Sequence, residues 1–318
     1  MNNAALDRVL KCPTLPSLPG VAMEVLELTR DKNVPLRRIA EVVQNDQALA
    51  VKILKTVNSS YYGLRKPCPT ISRAMAYLGI ETVKSLVLGF SLIDVVGQQT
   101  AEDFDFVSFW RRCIYGATGA RTFATVTRAY DSEEAFIAAL LQDVGMLAMR
   151  MAMGKAYSDA IAPSARDHNR TVELEREAYG FDHQVAGSAL ADKWRLPPQL
   201  IETIAHHHQP KSVQGEHRTL VRLVALANLA TQAMDAGAKS SLPARYVEQA
   251  REWFRIPADE AISMLEGISD NARELSRLFH LDTGPKVDLL EIQAMANELL
   301  TEHQLEVQAQ SRQLRQSN

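Results

Sequence analysis

The chain reads as an all-α protein: a multi-helix bundle with a smaller helical part towards its C-terminal end. Three observations carry this. Ala and Leu abound while Gly and Pro are sparse, at 15 and 13 of 318 residues, a balance that favours helix. Apolar residues recur at three- and four-residue spacing along most of the chain, as one face of a helix requires. No segment has the period-two alternation of a half-buried strand.

Pro13, Pro16 and Pro19 break up the start, after a short helical lead over residues 1–12. From Val21 a helix pattern places Val21, Val25 and Leu28 on one face and Glu24 and Glu27 on the other. Pro35 sits where a first-turn proline is tolerated and opens a helix carrying Leu36, Ile39, Ala40 and Val43. Leu49, Ile53, Leu54 and Val57 define the next, which stops near Asn58-Ser59-Ser60; a loop with Gly63, Pro67 and Pro69 follows. Thr70 or Ser72 caps a short helix that ends at Gly79, a left-handed stop. Ile80–Gln98 is apolar almost all round and is expected to be buried.

Two long helices are expected over Phe104–Thr127 and Ser132–Met153, the second with Asp131, Glu133 and Glu134 at its positive end. Further helices are expected over Lys155–Asp167, Val172–Tyr179, His183–Arg195, Pro198–His207 and Thr219–Ala236. Beyond Gly237, the stretches Val247–Phe254, Ala258–Glu266 and Ala272–Phe279 read as short amphipathic helices of a separate subdomain over 237–285. A polar helix, Val287–Leu314, fills most of 286–318. Its apolar residues Ile292, Met295 and Leu299 suit either a dimer contact or a solvated tail.

Bulk properties exclude several classes. The length suffices for one large or two modest cores. The net charge of −3, from 35 basic and 38 acidic residues without a like-charge block, offers no footprint for nucleic acid. Cys12, Cys68 and Cys113 are scattered, with no CxxC, which fits a reducing compartment rather than a disulfide framework. No basic start followed by an apolar core precedes Lys11, so no signal peptide is expected. The longest apolar stretch, Ser85–Gly97, is interrupted by Asp94 and too short for a bilayer. A cytoplasmic protein without membrane association is the expectation.

Candidate chemistry rests on Asp143, His183, His206, His207 and His208; His168, His217, His280 and His303 look more isolated. Neutral imidazole and carboxylate are good donors for divalent transition metals. Taken alone, a His triplet ending a helix equally serves the last carbonyls, and His183 beside Asp182 equally suits a helix start. Asp143 is harder to set aside. Flanked by Leu140, Leu141, Val144 and Leu147, it must be paired or ligating if buried, because an isolated buried carboxylate is too costly.

Several separated segments, taken in order, resemble the HDOD domain family. They are Leu15-Pro16-Ser17-Leu18-Pro19, Val34-Pro35-Leu36, Asn45 to Leu49, Val57 to Gly63, Ile71 to Gly79, Phe109-Trp110-Arg111-Arg112 and Leu140 to Gly145. Asp182-His183, Trp194 to Pro197 and His207-His208-Gln209-Pro210 complete the set. The resemblance covers roughly residues 13 to 235 and implies one HDOD domain over 13–236. The family is similar in fold to HD-class metal phosphohydrolases and is regarded as regulatory, accompanying bacterial signalling modules.

Carrying the HD ligand pattern across places its first His at Arg112 or Cys113. The His of the His-Asp pair falls on Gln142, with Asp143 retained. Later His positions fall on His183 and on His207 or His208, and the closing Asp falls on Asn228. A guanidinium has no lone pair for a metal, and amides offer only carbonyl oxygens. The resemblance therefore implies a degenerate site with no metal or other cofactor expected; any ion would fall to Asp143, His183, His207 and His208. Arg112 is expected to pair with Asp143 in the metal's stead, a contact worth about 1.5–3 kcal/mol, with about 3–5 lost if one partner of a buried pair is removed.

The expected function is a non-catalytic regulatory scaffold of bacterial signal transduction. Its partners would be other signalling proteins, a small nucleotide ligand in the former pocket, and a second copy through the terminal helix. The alternative is a metal-dependent phosphohydrolase acting on a nucleotide or cyclic dinucleotide.

Overall fold

Six helices in this chain begin where the sequence supplies a side-chain acceptor. In the computed structural model, Asp46 accepts from the amide of Leu49, Thr70 from Arg73, Asp105 from Ser108, and Asp131 from Glu133 and Glu134. Asp167 and Asp182 do the same at two further starts, each satisfying N–H groups that lack an intrahelical partner. The structure describes residues 4–13, 15, 19–31, 33–96, 103–164, 167–236 and 240–285. Among them there are sixteen α-helices, one 3₁₀ turn and no strand.

The N-terminal layer consists of α1 (Ala4–Leu10), α2 (Gly20–Leu28), α3 (Leu36–Gln44), α4 (Gln47–Val57), α5 (Ile71–Leu78) and α6 (Ile80–Val96). The bundle centre is α7 (Phe106–Thr127), with α8 (Ser132–Leu141) and α9 (Val144–Met153). After α10 (Lys155–Ile161) and the 3₁₀ turn Ala162–Ser164 come α11 (His168–Tyr179), α12 (His183–Lys193), α13 (Pro198–His206) and α14 (Arg218–Ala236). The last two described helices are α15 (Leu242–Phe254) and α16 (Ala258–Leu278). Helix α7 packs on α8, α14 and α16, α6 packs on α8, and α9 packs on α12.

Besides α15, which starts at Leu242 rather than Val247, four elements differ from the sequence reading, each for a physical reason. The expected long helix Ser132–Met153 is two helices, broken at Gln142-Asp143. Asp143 has φ −97° and ψ 12°, and its carboxylate caps nothing, so the break turns that side chain into the core. The stretch is apolar and long enough to cross a membrane by composition, yet 78% of its apolar window is buried inside the bundle, as core helices are.

Helix α11 begins at His168, four residues earlier than expected, because Asp167 caps it. The expected helix over Lys155–Asp167 stops at Ile161 and continues only as the 3₁₀ turn. Ala258–Glu266 and Ala272–Phe279 fuse into α16, since Ala261, Leu265, Ile268, Ala272 and Leu275 form one buried stripe across the presumed break. Helices α15 and α16 share the buried core with the rest of the bundle: Ile268 approaches Gly119 of α7. The polar helix expected over Val287–Leu314, with its dimer contact, lies outside the described residues.

Candidate metal centre

Asp143, His168, His183, His207 and His208 converge, each offering one donor atom, with those atoms all within 4.8 Å of one another. The elements that deliver them are the α8–α9 break, the first residues of α11 and α12, and the end of α13. His168 and His183 arrive in the same way. Each follows a capping Asp, Asp167 or Asp182, and occupies the first position of its helix. Asp182 is itself buried and tied to Arg176, whose Nε lies 2.7 Å from its Oδ2.

Close approach of α9 and α12 sets the distance between Asp143 and His183. A Cβ on Gly145 would lie 1.9 Å from the carbonyl oxygen of His183 and 2.6 Å from the amide nitrogen of Gly187. Only glycine fits at that crossing, which explains the Gly two residues after Asp143.

Asp143 Oδ1 lies 3.3 Å from His168 Nε2, 3.5 Å from His183 Nε2 and 3.4 Å from His207 Nε2. His183 Nε2 and His207 Nε2 are 3.3 Å apart. All four residues are buried, and Asp143 Oδ1 has no hydrogen-bond partner among the described residues.

The tautomers follow from the opposite ring nitrogens. His183 Nδ1 donates to Glu175 Oε2 at 2.7 Å, and His207 Nδ1 donates to the carbonyl of Ile204 at 2.9 Å. Both Nε2 atoms in neutral rings therefore present lone pairs towards a carboxylate oxygen. Three acceptors face one another in the dry interior, an arrangement that needs a cation among them. The spacing fits one: four donors at 2.0–2.1 Å from a tetrahedral ion are separated by about 3.3–3.4 Å. Glu175 behind His183 is the carboxylate–histidine arrangement that orients metal-binding imidazoles; it also accepts from Tyr157 Oη at 2.5 Å and from the His183 amide at 2.8 Å. The residues present fit a divalent transition metal.

Asp143, His168 and His208 are held in charge states suited to ligation, and His183 is shifted the other way. Burial alone would raise the Asp143 carboxyl, but the His168 and His207 imidazoles and the Arg112 guanidinium outweigh it and hold it well below the usual range. Burial pushes His168 down to about 4 and His208 well below the ordinary histidine value, so both are neutral donors near pH 7. Burial would also lower His183, but Glu175 more than offsets it and its pKa is raised.

The remaining sequence-predicted residues take other places. Arg112 Nε lies 3.4 Å from Asp143 Oδ2, on the side away from the imidazoles' contacts with Oδ1, and its Nη2 lies 3.2 Å from the sulfur of Met146. Gln142 and Asn228 do not face the cluster as donors. Their amides pair reciprocally, Nε2 to Oδ1 and Nδ2 to Oε1, both at 2.7 Å. The pair is accommodated beside Gly116, where a Cβ would come within 3.3 Å of Gln142 Nε2.

His208 is partly buried, and its Nδ1 lies 3.3 Å from Asn169 Oδ1. His206 stands outside the cluster, near Ser212. His217 lies beside Glu216 and Glu202. Cys113 is buried, burial pushes its thiol well up, and it is not among the converging donors. His168, set aside in the sequence as isolated, is a member of the cluster. The repeated Asp-His at two helix starts, Asp167-His168 and Asp182-His183, is the signal that would have found it.

An all-helical bundle that gathers one aspartate and several histidines from four helices is of the HD type. The family model of the HDOD domain matches residues 15–210, and the chain belongs to that family. A curated protein of Treponema pallidum (strain Nichols), itself uncharacterized, is 27% identical over 221 residues. That match takes in 70% of this chain and 43% of the relative, so the chain spans less than half of its length.

Among solved structures, an HDOD domain protein of Geobacter sulfurreducens has a TM-score of 0.72 at 20% identity, covering 87% of this chain and 99% of that one. A candidate phosphohydrolase of Shewanella amazonensis has 0.62 at 24% identity, covering 95% of both chains. A candidate signal transduction protein of Marinobacter aquaeolei has 0.67 at 18% identity, covering 88% of this chain and 67% of that one. These likenesses establish the shared fold.

Proposed function

We propose that this protein is a non-catalytic regulatory HDOD module of bacterial signal transduction whose buried cluster holds one divalent transition metal as a structural centre. One observation carries the reading: Asp143 Oδ1 is buried 3.3 Å, 3.5 Å and 3.4 Å from the Nε2 atoms of His168, His183 and His207, the donor separation of a tetrahedral site. A site filled by four protein donors is closed, as structural zinc sites are, whereas catalytic ones keep a position for water or substrate. The metal expected to be absent on the sequence alone is favoured by this geometry, because His168 supplies a donor the sequence reading did not count.

Two further features speak against hydrolysis. Hydrolases that clamp phosphoesters between two metals need a second set of ligands, and here Gln142 and Asn228 are spent on each other while Arg112 cannot ligate. Arg112 also covers the second oxygen of Asp143. The bound metal would supply cross-linking of four helices; the chain's own residues fix the tautomers, exclude water and neutralise charge. Such a body suits docking of other signalling proteins.

A second reading, a metal-dependent phosphohydrolase acting on a nucleotide or cyclic dinucleotide, is favoured by His208, a fifth donor at the edge of the cluster. The deciding experiment assays tag-free protein, loaded in turn with zinc and manganese, against bis-p-nitrophenyl phosphate and a cyclic dinucleotide. Stoichiometric metal without turnover is the expected result; metal-dependent turnover abolished by Asp143→Asn would reject the non-catalytic reading.

A further inference from the structure

Arg112 has two faces. One touches Asp143 and the other lines a cavity of about 240 Å³ between the start of α7, α9 and the 3₁₀ turn. A guanidinium carries five N–H donors. Among the described residues those of Arg112 meet only a carboxylate oxygen at 3.4 Å and a thioether sulfur, a weak acceptor. The cavity wall also holds Ser158, a buried residue whose hydroxyl has no partner among the described residues.

The acids on the same wall are engaged in part, Asp103 Oδ2 being buried without a partner among the described residues. Asp103 pairs with Arg150 at 2.6 Å, and Asp105 accepts from the amide and hydroxyl of Ser108. An under-used cation and an unpartnered hydroxyl complement a small anion that accepts hydrogen bonds. The volume falls below the roughly 300–1,000 Å³ of drug-sized ligand sites, which suits a single oxyanion group rather than a whole dinucleotide.

We propose that this cavity is an oxyanion site, in which the phosphate or carboxylate group of a small ligand is bound by Arg112 and Ser158. The site goes beyond the metal reading and does not depend on it, since its donors belong to the protein. Charge-assisted, two-pronged recognition of such groups is the chemistry arginine performs best.

The test is calorimetric titration of the full, metal-free chain with inorganic phosphate and, separately, with acetate, at constant chloride concentration. Saturable one-to-one binding of at least one of the two is expected, and which one it is tells phosphate from carboxylate ligands. Binding should weaken at least tenfold in Arg112→Gln. Ala162→Phe, which fills the mouth of the cavity while leaving Arg112 and Asp143 in place, should weaken it equally; this variant decides the matter if Arg112→Gln fails to fold. No saturable binding of either anion by the wild type, or binding that survives Ala162→Phe or a folded Arg112→Gln, overturns the proposal.

Discussion

Replacing Gly145 with Ala tests how the cluster is held together, because Gly145 touches neither the donors nor the ion they would bind. The added Cβ would sit 1.9 Å from the carbonyl oxygen of His183, 2.8 Å from its carbonyl carbon and 2.6 Å from the Gly187 amide nitrogen. All three atoms are backbone, so no side chain can swing away. Relief requires α12 to retreat from α9 by roughly 1 Å or more, since packed interiors have no slack of that size. His183 rides at the first position of α12 and retreats with it, while metal–ligand distances tolerate only about ±0.2 Å.

Overpacking of this kind costs about 1–3 kcal/mol, which for a chain of this size lowers the thermal midpoint by about 2–5 °C. Two measurements on Gly145→Ala are expected to move together: zinc per chain by elemental analysis should fall well below the wild-type value, and the thermal midpoint should drop. Gly267→Ala is the matched control. It lies on the exposed side of α16 with nothing within 4 Å, and should leave metal content intact while gaining up to about 1 kcal/mol from helix propensity. Wild-type zinc affinity in Gly145→Ala would refute the reasoning.

Other consequences follow from the same geometry. Arg112→Ala removes one cation from a fully buried carboxylate and should cost about 3–5 kcal/mol in chelated protein, but distinctly less with zinc bound, as melting with and without chelator will reveal; equal losses in both would count against a shared Asp143. Glu175→Gln keeps the shape behind His183 but loses the charge, and should weaken zinc binding about 10–100-fold; unchanged affinity in a competition titration speaks against that role. Acid should destabilise the chelated protein: with His168 held at about 4 against the ordinary histidine value of 6.5, the unfolded chain binds the extra proton between those values. The contribution is thus complete above pH 6.5 and declines towards pH 4. His168→Asn should flatten the midpoint-versus-pH slope in that window, and an unaltered slope would contradict it.

Much of the bundle is legible in the sequence because its helices start on Asp or Thr caps and carry regular apolar stripes, as α4, α5 and α7 do. The failures lie where tertiary contacts decide. Nothing local marks the break at Gln142-Asp143, since Leu140, Leu141, Val144 and Leu147 continue an apolar pattern straight through it. The turn is imposed by the packing of α9 on α12 at Gly145 and Gly187. Conversely, Gly267 to Asn271 look like a stop, yet Ile268 and Ser269 are fully buried and α16 runs on.

At the site, Asp143, His183 and His207 were readable through the family resemblance. His168 was not, because the apolar pattern of α11 starts only at Val172 and hides its first turn. The HD ligand pattern shows three losses, at Arg112, Gln142 and Asn228, and has no counterpart for the histidine that joins the cluster. The reciprocal amide pair of Gln142 and Asn228 is likewise invisible to sequence, since 86 positions separate the partners.

The visible absorption spectrum of tag-free protein titrated with cobalt(II) reports on the proposed centre without relying on any activity. Saturation at one equivalent with the intense bands of a tetrahedral ion, lost in His168→Ala as well as in Asp143→Asn, is the predicted result. A wild-type protein that takes up no cobalt, or binds it with the weak bands of an octahedral ion indifferent to His168, would contradict the closed four-donor centre.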